Sequence, residues 1–149
     1  MKIVLGVVLL GTSLLSQAFE YHGIKSGMST SEVDSLTGCT EYCSSIDYST
    51  VREFFGGVES TPPSLSTMSF SYTSDSKLWR IQLSFWERDG TRGVAQSMIL
   101  RELYPDAELQ KSSKQTSYGS TDYINAMLLD TALFNQDVQK IYNETRGKY

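Results

Sequence analysis

Histidine is almost missing from this chain: His22 is the single one in 149 residues. A Ser/His/Asp arrangement would have to recruit it, and no nucleophile-elbow motif occurs anywhere, so triad chemistry has no other imidazole to draw on. Cysteine is nearly as scarce. Cys39 and Cys43 are the two present, and their spacing has one residue too many for a C-x-x-C redox motif. With one histidine and one cysteine pair, a metal centre is not expected, and no cofactor motif is found. Gly56-Gly57 lacks the lysine and the strand-to-helix glycine spacing of a phosphate loop. Basic residues are outnumbered, thirteen Lys and Arg against seventeen Asp and Glu. They are scattered instead of forming a stripe, which leaves nucleic-acid binding without electrostatic support. The acid pairs Glu87 with Asp89 and Asp106 with Glu108 flank loops at spacings that solvation explains. Glycoside hydrolysis would require the fold to set such a pair at the right separation in a cleft.

Long apolar runs are also rare, with one exception at the start. Lys2, the apolar stretch Ile3 to Leu15 and the small-residue exit Ser16-Gln17-Ala18 have the order of a secretory signal. The alternative, a membrane anchor, is disfavoured because the stretch is shorter than the ~20 residues that span a bilayer. The expectation is therefore a signal peptide over residues 1–18 and one domain over 19–149, with no transmembrane segment after signal removal. No cysteine stands at the exit, so there is no lipoprotein-type anchor point. Setting Lys2 aside leaves twelve basic residues against seventeen acidic ones, a charge of about −5 that mainly supports solubility.

What the remainder has in quantity is alternation. From Ser66 to Trp86, Met68, Phe70 and Tyr72 share one parity, and Trp79, Ile81, Leu83 and Phe85 share one face of a second arm. A hairpin with Asp75-Ser76 as a two-residue turn sets Tyr72 opposite Trp79, Phe70 opposite Ile81 and Met68 opposite Leu83, gathering the large side chains on one side. Arg80, Gln82, Ser84 and Trp86 then share the other side. They are the candidate partner-binding residues, since Trp and Arg dominate interface energetics. Trp86 has a second reading, in which it packs under the polar stretch after Pro105 or against the C-terminal helix.

Ahead of the hairpin, Ser29 and Glu32 form a capping box, with Met28 and Val33 as its hydrophobic staple. Val33 and Leu36 fall on one face of the short helix, and Gly38 closes it. The run Gly23-Ile24-x-x-Gly27-Met28-Ser29-x-x-Glu32-Val33-x-x-Leu36-x-Gly38 resembles the opening of the small BamE-like (SmpA/OmlA) envelope domains, which share their helix-plus-sheet architecture with β-lactamase inhibitor proteins. The resemblance implies a small envelope domain or an inhibitor. Cys39 and Cys43 read as a disulfide pinning the following loop, as befits an exported chain.

Tyr48 to Val58 reads as a strand, with Ser49 or Thr50 able instead to cap a turn of helix. Pro62-Pro63 marks a loop. After Glu87 to Gly90 a helix beginning between Thr91 and Gly93 carries Ala95, Ile99 and Leu103 as a stripe, flanked by Met98 and Leu100 and suited to the sheet's apolar side. Pro105 ends it. A polar stretch to Asp122 has room for a short edge strand. Tyr123 to Leu129 is a strand apolar on both faces, and Asp130 caps a final helix to about Thr145 with Phe134, Val138 and Ile141 in line. The expected fold is α+β, a mostly antiparallel sheet of about four strands with helices packed on one face. The expected function is non-catalytic: a periplasmic or secreted protein-binding domain whose partner is another envelope or secreted protein. The alternatives are a secreted inhibitor, a small-ligand carrier, or a small secreted hydrolase using His22 or an acid pair.

Overall fold

The structure is a computed structural model and describes residues 18–40, 42–87 and 92–149. The predicted signal peptide lies outside the described residues apart from Ala18. Two short strands, β1 (Glu20–Tyr21) and β2 (Ile24–Lys25), pair around a turn in which His22 takes φ 49°. Helix α1 (Thr30–Thr37) follows, then β3 (Ser45–Ile46), α2 (Tyr48–Phe55), β4 (Leu65–Tyr72), β5 (Leu78–Trp86), α3 (Arg92–Leu103), β6 (Glu108–Thr116), β7 (Gly119–Leu129) and α4 (Thr131–Arg146). The larger sheet is antiparallel, in the order β3-β4-β5-β7-β6. It has five strands where about four were expected.

The central hairpin keeps the predicted parity. Phe70 faces Ile81 and Met68 faces Leu83. The turn differs: Ser76 N–H donates to Thr73 O at 2.9 Å and Ser76 takes φ 62°. The connection is thus three residues with a left-handed last member, the common alternative to a two-residue turn. One added residue on the β5 side pairs Tyr72 with Leu78 instead of Trp79. Trp79 instead meets Phe134 of α4, ring centroids 4.3 Å apart.

The capping box at α1 is complete, with Ser29 Oγ accepting from Glu32 N and Glu32 Oε2 accepting from Ser29 N at 2.7 Å. Gly38 ends the helix at φ 70°, a conformation costly for a side chain bearing Cβ. Val33 is buried, but Leu36 is exposed and Thr37 takes the inward position. In a two-turn helix, Thr37 stands four residues after Val33 and so nearer the centre of its stripe. The segment predicted as a strand from Tyr48 is helical. Asp47 Oδ1 accepts from Thr50 N at 3.0 Å, a cap two residues ahead of the serine considered from sequence. Val51 reaches the core, with Phe54 and Phe55 packed against it.

The largest departure is α3. Ala95, Met98, Ile99 and Leu103 face outward, Met98 being 59% and Leu103 71% exposed. Gly93, Ser97 and Leu100 are the buried residues. Small side chains decide the rotation: a Cβ at Gly93 would stand 2.8 Å from Glu87 Oε2 and 3.3 Å from Ile124 Cγ1, so this seam lets the helix sit closer than a leucine stripe allows. Glu87 Oε2 accepts from Val94 N at 3.0 Å and fixes the first turn.

Val33, Val51 and Leu100 join Met68, Phe70, Ile81, Leu83, Phe85, Ala126 and Leu128 in one cluster, so α1, α2 and α3 send buried side chains to the same side of the sheet. Helix α4 buries none. It is held by the Trp79 stack, by Ser74 N–H donating to Asp137 at 2.8 Å and by Lys140 to Asp75 at 3.2 Å.

Two outcomes check this account. Ser29→Ala is expected to cost about 1 kcal/mol in urea denaturation. The Ser29 amide and hydroxyl hold the Glu32 carboxyl below its ordinary pKa of 4.5. The carboxylate's contribution is therefore complete above about that pH and is lost as pH falls through the lower folded value, a slope that Glu32→Gln should flatten. For α3, Leu103→Gln should change stability by no more than about 0.5 kcal/mol. Ser97→Leu should cost about 1–3 kcal/mol by overpacking. The reverse ranking would restore the leucine stripe to the core.

Candidate functional site

Alternation along β5 puts Arg80, Gln82, Ser84 and Trp86 on the side of the sheet away from the buried cluster. Their partners across β7 are Leu129, Met127, Asn125 and Tyr123. On β4, Ser71 stands opposite Arg80, Ser69 opposite Gln82 and Thr67 opposite Ser84. On β6, Gln110 stands opposite Asn125 and Ser112 opposite Tyr123. The four residues picked from sequence therefore lie in the middle of a polar face that runs across four strands.

This face is laced by side-chain hydrogen bonds. Arg80 Nε donates to Ser71 Oγ at 3.0 Å, Ser84 Oγ donates to Asn125 Oδ1 at 2.7 Å, and Asn125 Nδ2 donates to Ser112 Oγ at 2.7 Å. Ser84 and Asn125 are buried between larger neighbours and satisfied by each other. Arg80, Gln82 and Trp86 are partly exposed. The Arg80 guanidinium lies 5.3 Å from the Trp79 ring centroid. The Trp86 ring stacks on Tyr48 of α2, centroids 5.0 Å apart at 33°, and shares a groove with Ser120, Thr121 and Asp122 from the stretch after Pro105. Such an arrangement offers hydrogen-bonding groups in fixed positions, an aromatic and a cation.

Sequence reasoning missed the neighbours. Asn125, Tyr123 and Ser112 belong to the same face, and the parity of Tyr123, Asn125, Met127 and Leu129 was visible. What pattern could not supply was the strand order that puts β7 beside β5. Asp34 was missed altogether, and no sequence signal marks it.

Asp34 belongs to the cysteine site. The Cys39 and Cys43 sulfurs are at disulfide distance, with Cα atoms 5.7 Å apart. Asp34 Oδ1 accepts from Cys43 N at 2.8 Å and Oδ2 from Tyr42 N at 3.0 Å, while Tyr72 Oη donates to Cys43 O at 2.8 Å. Asp34, Cys39 and Cys43 have their ligand atoms within 4.8 Å of one another, the one such cluster among the described residues. Its sulfurs are bonded to each other and both carboxylate oxygens are taken by backbone donors. The cluster is thus a clamp that ties the loop after α1 to β4, and a poor metal centre. Burial, followed by the Asp34 charge and Tyr42, raises the Tyr72 pKa above its ordinary value, so the phenol stays a donor.

His22 lies exposed at the β1–β2 turn, edge-on to Tyr21 at 4.6 Å and Phe55 at 4.8 Å. No helix among the described residues is long and apolar enough to cross a membrane. Comparison with protein-family models, curated proteins and solved structures finds no match.

Loss of the clamp is measurable. Tyr72→Phe removes one donor from the Cys43 carbonyl and is expected to cost about 1 kcal/mol. Cys39→Ala with Cys43→Ala is expected to cost about 2 kcal/mol, the chain-entropy value for so short a ring. Urea denaturation of both variants beside the wild type gives the two numbers.

Proposed function

We propose that this chain is a non-catalytic, exported protein-binding domain that engages another envelope or secreted protein through the polar face carrying Arg80, Gln82, Ser84 and Trp86. One observation carries the reading. The helices that bury side chains send them into the cluster on one side of the sheet, while the opposite side presents an ordered array of polar groups with partly exposed Arg80 and Trp86. Pre-ordered polar groups around an aromatic and a cation lose little freedom on docking.

Export agrees with the signal-like start and with a cysteine pair at disulfide distance. The BamE-like run from Gly23 to Gly38 supports a role in maintaining the cell envelope, and its capping geometry is present at Ser29, Glu32 and Gly38. The hydrolase alternative has less behind it, because His22 sits at an exposed turn between aromatic rings.

The test is affinity capture from the envelope fraction with wild type and with Arg80→Ala plus Trp86→Ala. Circular dichroism of the double variant guards against unfolding. A partner retained by the wild type should be lost about tenfold or more, the scale of hot-spot truncation. Equal recovery by both proteins would exclude this face.

A further inference from the structure

The last β5–β7 pair is Trp86 with Tyr123, but β6 and β7 continue for four more pairs, from Ser113 with Asp122 to Thr116 with Gly119. Glu87 N–H still reaches Asp122 O at 2.9 Å. Beyond that bond no described strand accompanies the hairpin, which extends by roughly 13 Å at ~3.3 Å per residue. All of Ser113 to Ser120 is exposed. Tyr118, in the two-residue turn, is 99% exposed.

A two-stranded ribbon without an apolar face gains little from its own packing. This one is nevertheless ordered at its end: Thr116 Oγ1 donates to Gly119 O at 2.8 Å and accepts from Tyr118 N at 3.3 Å. At its base Ser113 Oγ donates to Asp122 Oδ1 at 2.6 Å, which occupies the nearest acid. Between them the residues are Lys114, Gln115, Thr116, Ser117, Tyr118, Gly119, Ser120 and Thr121. One rigid aromatic amid adaptable hydroxyls and amides is the composition that binding loops use.

We propose that this hairpin is an insertion arm, with Tyr118 entering a carboxylate-lined cleft on a partner protein and Lys114 flanking the entry. The proposal rests on the protein-binding reading above and adds where the partner is gripped and by what chemistry. A cleft is required by area: against a flat surface the tip would present little more than Tyr118, whereas a stable interface takes about 800 Å² from each partner. Insertion also buries the Ser, Thr and Gln flanks. Carboxylates match the local charge, because Lys114 is the sole side chain charged at neutral pH from Ser113 to Thr121. By strand parity Lys114 lies on the same side as Ser112, hence on the face with Asn125 and Ser84. One partner can therefore hold the sheet face and receive the arm.

The experiment places p-benzoylphenylalanine singly at Tyr118, at Gln82 on the sheet face, and at Val58, an exposed control, in the full chain. Each protein is irradiated in the envelope fraction. The expected result is an adduct from position 118, absent from position 58, whose cross-linked peptide maps to an acidic cleft of the partner. With that partner purified, Tyr118→Ala should weaken binding about tenfold or more. Lys114→Glu should weaken it further at low salt than at high salt. An adduct of twice the chain's mass, an adduct outside an acidic cleft, or none above the control would overturn the arm. Cross-linking from Gln82 with position 118 silent discards the arm and keeps the sheet face, whereas silence at both positions discards both.

Discussion

Phe70 opposite Ile81 and Met68 opposite Leu83 is the pairing on which the rest of the molecule depends. Side chains alternate along a strand, so this register commits Met68, Phe70, Ile81, Leu83 and Phe85 to one side and leaves Arg80, Gln82, Ser84 and Trp86 on the other. A slip of one residue would bury the guanidinium and expose Leu83. Strand β7 inherits the same division through its pairing with β5, setting Ala126 beside Leu83 and Asn125 beside Ser84. The polar face opposite the core is thus a direct consequence of how the core was assembled.

Three different devices then attach the helices. Helix α1 and its loop are tied to β4 by polar geometry: Asp34 takes two backbone donors of the loop that holds the cysteine pair, and Tyr72 takes a carbonyl from it. Helix α3 is attached by smallness, with Gly93 and Ser97 permitting close approach to Ile124. Helix α4 is attached by one ring stack and exposed polar contacts. Exposed ion pairs contribute little, which makes α4 the least anchored helix and the element with the lowest expected barrier to local opening.

The functional reading follows from the division of labour between the two sides. The core side is closed by Val33, Val51 and Leu100, and the cysteine cluster is consumed by its own clamp. Among the described residues, the groups this reading offers to an outside molecule are the partly exposed row from Arg80 to Trp86 and the hairpin beyond Tyr123. Both are polar, ordered by internal hydrogen bonds and joined through the pairing of β5 with β7, so a partner that meets one is within reach of the other.

Much of this was legible from residue order alone. The hairpin parity, the capping box at Ser29 and Glu32, the left-handed Gly38, the Asp130 cap and the side occupied by Arg80, Gln82, Ser84 and Trp86 depend on neighbours a few residues apart, and local backbone geometry settles them. The failures share a cause. Whether Leu103 or Ser97 of α3 turns inward is decided by how near the helix axis can come to β7, a distance no periodicity encodes. The polar arm from Ser113 has no alternation because solvent lies on both its faces. Asp34 acquires its role from a loop folded back onto the helix, and Trp86 finds Tyr48 only once α2 is in place. Alternation and capping are properties of the chain; docking distance and strand order are properties of the packed whole.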